Sequence, residues 1–194
     1  MEKAYYVGID VGTGSARAIV MDQEGDAIAI ATKAITTHQP QIGWYVQSTD
    51  EIWRCICECI QQAVKEKGVD TRMIKGKLHP YLDLRTPAAN GFPSGIGFDA
   101  TCSLAVFDEA FNPVKVSTSP SESENFNVIL WMDQRAEAET NMINATGHES
   151  LRYFGGKMSI EMELPKVSEM WLDRYESTRS HRISGRMAEK SHGH

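Results

Sequence analysis

The sequence predicts an α/β fold, a mixed sheet covered by helices. Three observations carry that expectation. Two strand-like runs flank a glycine-rich turn near the N-terminus, a third run follows at once, and a strongly periodic helical stretch then leads into strands alternating with helices. The chain of 194 residues is long enough to bury roughly 70 % of its unfolded surface. With 41 % apolar and 24 % charged residues it has the balance of a globular domain, which argues against wholesale disorder.

Ala4 to Asp10 is β-branched and aromatic and ends at the turn Val11-Gly12-Thr13-Gly14. Ser15 to Asp22 and Ala27 to Thr36 are strand-like too, separated by Gln23-Glu24-Gly25, so three antiparallel strands in a meander are expected. Ser48 and Thr49 offer N-caps, Asp50 and Glu51 suit the positive end of a helix dipole, and Ile52, Ile56, Ile60 and Ala63 or Val64 recur at helical spacing. A helix over about 49–67 follows. Ile96 to Phe98 and Ser103 to Phe107 read as strands on either side of a polar turn, Val128 to Trp131 as a buried strand, and Gln134 to Asn144 as a helix.

Two stretches break the pattern. Lys77 to Gly95 contains three prolines and no usable period, and is expected to be a long surface loop. From about Tyr175 the chain is polar and almost free of large apolar residues, so 174–194 is expected to be a disordered tail. The domain proper is then 1–173.

A formal charge of −6 disfavours nucleic-acid binding, because it repels a phosphate backbone. No apolar run approaches the ~18 residues of a membrane span, and Met1 to Tyr6 lacks the features of a signal peptide, which makes the cytoplasm the expected location. Cys55, Cys57, Cys59 and Cys102 form no disulfide framework; only the first and third share a helix face, a poor thiolate metal pattern. The histidines of the tail, His181, His192 and His194, promise no more than adventitious metal binding. Cys102 reads as a small buried filler, since no histidine nearby in sequence could activate it. Trp44, Trp53, Trp131 and Trp171 read as core or cleft wall, with no basic groove to make them a base-stacking platform.

The strongest chemical feature is Asp10-Val11-Gly12-Thr13-Gly14-Ser15 with Arg17. Glycines admit an anion close to backbone N–H groups, the Thr13 and Ser15 hydroxyls add donors, and Arg17 can neutralise phosphate charge. Asp10 would repel bare phosphate, so it suggests a bridging Mg²⁺. A Walker A loop is excluded because no Gly-Lys-Ser/Thr occurs, and a dinucleotide fingerprint because Arg17 stands where a third glycine is needed. An ordinary hairpin turn remains the alternative.

GIDVGTGSARAIVMD (Gly8 to Asp22) resembles the phosphate-binding hairpin of the actin, Hsp70 and sugar kinase superfamily. Further segments narrow the resemblance to the FGGY carbohydrate kinases, nearest their pentulose (ribulokinase-like) branch: GWYVQSTDEIW (Gly43 to Trp53), GFDATCSLAVFD (Gly97 to Asp108), WMDQRAEAE (Trp131 to Glu139) and INATGHESLRYFGGKMSIEMELPK (Ile143 to Lys166). The match covers roughly 4–76 and 96–173. It implies the first lobe of a ribonuclease H-like fold, incomplete here, and transfer of phosphate from ATP, with Mg²⁺, to a sugar hydroxyl.

Carried over by the resemblance, Asp10, Gly12, Thr13, Gly14, Ser15 and Arg17 would meet the ATP phosphates, with Asp10 holding Mg²⁺ through water. Asp99, Thr101, Cys102, Asp133 and Arg135 would surround the sugar. Polyols suit such a site because each hydroxyl left unpaired in a closed cleft costs about 1–3 kcal/mol. For Asp99 and Thr101 the alternative is a turn held by its own side chains; for Asp133 and Arg135 it is a helix N-cap region with a surface ion pair.

The family has two lobes and a chain more than twice as long, so the general-base Asp and the adenosine pocket are expected beyond the C-terminus, and no catalytic residue is assigned. The 77–95 segment interrupts the match, Gln134 stands where histidine is usual, and the segment after Pro165-Lys166 drifts, as in an alternative or truncated product of a longer gene. The expected function is phosphorylation of a pentulose such as D-ribulose, as the N-terminal part of a kinase; a homo-oligomer is the expectation for the full-length form. An inactive truncated or regulatory isoform and an actin- or Hsp70-like nucleotide-switch ATPase are the alternatives. Alone, the chain is expected to bind ATP weakly and not to phosphorylate sugar measurably.

Overall fold

In the computed structural model the described residues are 4–74, 96–117 and 125–172. The expected loop at 77–95 and the expected tail at 174–194 lie outside them. The chain divides into two compact units: among described residues the first draws on 4–38, 47–74, 96–102 and 125, the second on 39–46, 103–117 and 126–172.

The first unit is the meander and its helix. Strands β1 (Tyr6–Val11), β2 (Ser15–Met21) and β3 (Ala27–Ala34) pair antiparallel as read, and β5 (Ile96–Ala100) adds in parallel to β1, giving the order β3-β2-β1-β5. Alternation then sorts the side chains. Val7, Ile9, Ala16, Ala18, Val20, Ala29 and Ala31 face one way and are buried with Cys55, Ile56, Cys59 and Ala63 of helix α1 (Thr49–Glu66). Small alanines on β2 and β3 let the helix lie close to the sheet. The helix begins where its cap chemistry says it should: the Ser48 hydroxyl accepts from the Glu51 N–H, with Asp50 and Glu51 in the first turn.

The cysteines of α1 are part of this packing. The Cys55 and Cys59 thiols point at the carbonyls of Ala34 and Ala16, each at 3.4 Å. Burial pushes both thiols above their ordinary range, with Glu51 adding to the effect at Cys55 and the neighbouring Cys55 adding to it at Cys59. Two tryptophans expected as core or cleft wall, and one cysteine expected as buried filler, lie at the surface. Trp53 and Trp171 are 54 % and 64 % exposed, so neither is core. Cys102 is exposed and fills nothing, because the strand ends at Ala100 and the chain leaves the sheet there.

The second unit holds short strands and a small core. Its strands β7 (Val128–Ile129) and β6 (Leu104–Ala105) pair antiparallel, the two-residue strand β4 (Val46–Gln47) has Val46 in this unit and Gln47 in the first, and Val46, Val116, Phe126 and Ile129 form the core with Leu104, Val106 and Met170 beside it. The strand expected to reach Trp131 stops at Ile129, since the Asp133 N–H folds back onto the Leu130 carbonyl at 3.0 Å. Helix α2 (Glu137–Ala145) starts three residues later than the expected Gln134, because Asp133 and Arg135 are occupied with each other. A 3-10 turn at Glu149–Phe154 and helical backbone over 163–172 follow.

Candidate functional site

The hairpin between β1 and β2 has the loop Gly12-Thr13-Gly14, as the glycine pattern implied. At Gly12 the backbone N–H is engaged within the hairpin. The Gly12 N–H donates to the Ser15 carbonyl at 2.9 Å, and neither Gly12 nor Gly14 adopts the left-handed conformation that only glycine tolerates well. A Cβ on Gly14 would meet nothing within 4 Å, and one on Gly12 only ordinary contacts. The fold therefore does not require glycine at either position, and both leave the loop surface open. Gly8 is the opposite case. A Cβ there would lie 2.9 Å from Ile19 Cγ2 on the paired strand, so this glycine serves the sheet.

The register explains which side chains meet. Asp10 is opposite Arg17 on β2 and opposite Asp99 on β5; one step earlier, Gly8 is opposite Ile19 and Gly97. On the face away from α1 this gives a polar row, Arg17-Asp10-Asp99, beside an apolar row, Ile19-Gly8-Gly97. A shallow hollow of about 460 Å³ lies over these residues. Arg17 and Asp10 form an ion pair through Nη1 and Oδ2, with side chains 51 % and 50 % exposed. Such a pair is worth at most about 1 kcal/mol, so both partners can turn to a ligand at small cost. A larger hollow of about 610 Å³, lined by Lys33, Glu58, Gln61, Gln62, Lys65 and Glu66, is a solvated charged surface beside α1 and carries no chemistry of this kind.

Of the residues assigned to a sugar, Asp99 lies within β5, not in a turn, and is exposed together with Thr101 and Cys102. The Thr101 N–H donates to the Val11 carbonyl at 3.0 Å, extending the β1–β5 pairing to the foot of the hairpin loop. The structure thus brings Asp99 beside Asp10, joining the residues assigned to phosphate with the first of those assigned to sugar.

Asp133 and Arg135 belong to the second unit, and their surroundings differ from the surface pair that was the alternative. Their side chains are 0 % and 2 % exposed. Asp133 Oδ1 accepts from the Arg135 N–H at 3.0 Å and from its Nε at 2.8 Å, and Oδ2 from the Tyr45 N–H at 2.7 Å and Arg135 Nη2 at 2.8 Å. The guanidinium also donates through Nη1 to the Val116 carbonyl at 2.6 Å and stacks over the Trp44 ring at 4.1 Å. The pair fixes the 43–45 segment, where the left-handed Gly43 turns the chain and the Gln134 N–H donates to its carbonyl at 2.8 Å. Both carboxylate oxygens are saturated by protein donors.

Two buried polar residues escaped the sequence reading. Gln47, 3 % exposed, reaches the hairpin loop and donates to the Thr13 carbonyl at 2.6 Å. Lys166, 1 % exposed, donates to the carbonyls of Leu130, Trp131 and Glu161 at 2.8, 2.9 and 3.2 Å, holding the end of β7 that leads to Asp133. A polar residue in an otherwise apolar run, Tyr45-Val46-Gln47, was the available signal for the first. A lysine after proline gave none for the second, since nothing local distinguishes a buried lysine from a solvated one.

Residues 5–77 match the N-terminal domain of the FGGY family of carbohydrate kinases. Over 172 residues the chain is 43 % identical to a D-ribulokinase of Saccharomyces cerevisiae, an alignment covering 88 % of this chain and 21 % of that protein. It is 40 % identical over 168 residues to the FGGY carbohydrate kinase domain-containing protein of Homo sapiens, covering 87 % and 26 %. Among solved structures it is similar to a xyloylose kinase from Brucella ovis, with a TM-score of 0.65 at 18 % identity over 90 % of this chain and 30 % of that one. It is also similar to Plasmodium falciparum glycerol kinase with ADP, with a TM-score of 0.60 at 15 % identity over 94 % and 31 %. The chain spans about a fifth to a quarter of the length of these curated relatives. The likeness bears out the actin, Hsp70 and sugar kinase fold and the resemblance drawn from the sequence motifs.

Among the described residues, no helix is long and apolar enough to cross a membrane.

Proposed function

We propose that this chain, whose residues 5–77 match the N-terminal domain of the FGGY family of carbohydrate kinases, forms the phosphate and acceptor face of an ATP-dependent kinase acting on a pentulose such as D-ribulose. The observation that carries the reading is the register of β1 and β5, which sets Asp10 against Asp99 next to the hairpin loop. Phosphoryl transfer depends on holding acceptor and phosphate together, and this juxtaposition suits both. The D-ribulokinase relative supports the choice of sugar.

In this reading Arg17, Thr13, Ser15 and the open side of Gly12 and Gly14 receive phosphate. Asp10 holds Mg²⁺ through water; its half-exposed carboxylate at the edge of the hollow fits a cation that favours one or two carboxylates. When bound, the ion would offset the charge of the phosphates. Asp99, Thr101 and Cys102, all exposed, face the sugar hydroxyls. Asp133 and Arg135 spend their own hydrogen-bonding capacity within the second unit, where they fix Trp44-Tyr45. A cytosolic location, a sugar as the partner and a homo-oligomeric full-length form belong to the same proposal.

The test is ADP release with Mg·ATP, with and without D-ribulose, D-xylulose or glycerol, on this chain and on the longer yeast relative, together with calorimetric titration of both ligands. Sugar-dependent release supports the kinase. Release indifferent to sugar would favour a nucleotide switch, and a chain that binds neither nucleotide nor sugar would overturn the assignment in favour of a non-catalytic module.

A further inference from the structure

The loop Gly12-Thr13-Gly14 has two residues without side chains, so it cannot fasten itself, and glycine keeps more backbone freedom than any other residue. It is nevertheless tied on both flanks. The Ile35 N–H donates to the Gly14 carbonyl at 3.0 Å, and the Gly12 N–H to Ser15. The middle of the loop is held by a side chain from elsewhere in the first unit. Gln47 Nε2 donates to the Thr13 carbonyl at 2.6 Å and to Thr37 Oγ1 at 3.0 Å. A carbonyl can only accept, so the amide nitrogen must face the loop, and these two acceptors use both of its N–H groups. The anchorage continues into α1: the Thr36 N–H and hydroxyl donate to Glu51 Oε1 at 3.3 and 2.8 Å, and Glu51 stands in the first turn of the helix capped by Ser48.

The geometry points to Gln47 as a positioning residue for the nucleotide end: it fixes the height of the hairpin loop above the Asp10-Arg17 row, through Thr13, without touching a ligand itself. The inference rests on the nucleotide reading of the hairpin proposed above and adds the device that preorganises it. A buried amide spending both donors on one loop carbonyl and one neighbouring hydroxyl reduces the ordering cost that phosphate would otherwise meet.

Gln47→Leu fills the buried space without either donor, and Gln47→Glu keeps the shape but turns an acceptor toward the Thr13 carbonyl. Two quantities are read on the 194-residue chain: hydrogen exchange of the amides at 12–15 against those of Cys55 to Ala63 in α1, and the calorimetric Kd for Mg·ATP. Expected in both variants are exchange at 12–15 faster by about tenfold, the size of one lost neutral hydrogen bond, unchanged exchange in α1, and a similar weakening of Mg·ATP binding. A purely structural role would lower protection in α1 as well, and would overturn the inference. So would a loop that stays as protected as in the unaltered chain, or one that loosens while the Kd stays the same. If the unaltered chain fails to bind Mg·ATP, the nucleotide reading falls on its own, and positioning for a nucleotide falls with it, while the exchange data still decide whether Gln47 holds the loop.

Discussion

Among the described residues Asp-x-Arg occurs at Asp70-Thr71-Arg72 and again at Asp133-Gln134-Arg135, and the two folds of that tripeptide are nearly superposable in their hydrogen bonding. In each, the aspartate accepts from the arginine backbone N–H at 3.0 Å and from Nε and Nη2 of the guanidinium. The environments are opposite. Arg72 and Asp70 are 86 % and 38 % exposed at the start of the 3-10 turn Thr71–Met73, whereas Arg135 and Asp133 are sealed from water. The same local chemistry is thus a surface trim in one place and a structural latch in the other, and burial decides which.

The sharpest break of this comparison is the same substitution at both sites. Asp133→Asn removes the negative partner of a guanidinium that cannot be deprotonated and cannot reach solvent, and loss of one partner of a buried pair costs about 3–5 kcal/mol. Asp70→Asn should cost under about 1 kcal/mol, since exposed pairs contribute little. Urea denaturation of both variants, with the slope checked for constancy, measures the difference; equal losses would mean that the tripeptide itself, not its surroundings, sets the energy.

How far the sequence revealed these roles follows from the range of the forces involved. The meander, the helix after Ser48 and the glycine loop are legible because period, caps and turn residues are local: Val7 and Ile9 alternate with Gly8 and Asp10, and Ile52, Ile56 and Ile60 repeat on one face. The parallel partner of β1 is not local. Residue 96 lies across the whole of α1, and only the folded chain sets Asp99 against Asp10. Nor could burial of Asp133 be read from Trp-Met-Asp-Gln-Arg, because its remaining donor, the Tyr45 N–H, is 88 positions away. Cys102 failed for the related reason that a small thiol is usually buried, and here its strand had already ended.

Burial separates the thiols in the same way as the ion pairs. The Cys59 thiol is buried and raised above its ordinary range by desolvation, so little thiolate forms, while Cys102 is exposed. Iodoacetamide at neutral pH should alkylate Cys102 faster than Cys59 by roughly tenfold or more, followed by mass spectrometry of peptides. Equal rates in the native chain would contradict the packing of α1 on the sheet; on denaturation the two rates should converge.

A third pair sharpens the contrast by function. Asp10 and Arg17 are half exposed, like a surface pair, yet border the hollow of the candidate site. Asp10→Asn should change stability by less than about 1 kcal/mol but, on the proposed role of Asp10, weaken Mg·ATP binding by at least about tenfold. Thermal melting and calorimetry on the same sample separate the two effects. A large loss of stability with unaltered binding would make this pair another latch.

The smallest effect expected is in acid. Hydrogen bonds from the Arg72 side chain, and then from its backbone N–H, hold the Asp70 carboxyl down to about 2, below the roughly 3.9 of an unfolded aspartate. A carboxyl depressed in the folded state favours that state at every pH above the unfolded value, and the contribution fades as pH falls toward about 2 and is gone once the group is protonated in both states. The pair lies at the surface, so the consequence is local: the Asp70 cap on Thr71–Met73 should persist at pH 5, weaken below about 4, and release the Arg72 amide near pH 2. Carboxyl chemical shifts of Asp70, with exchange of the Arg72 amide over pH 5 to 2, follow this directly, and salt should shrink the depression because the Arg72 guanidinium is open to solvent ions. Titration of Asp70 at the value of an unpaired aspartate would show that this tripeptide does not close on itself at the surface, in contrast to the buried Asp133 and Arg135.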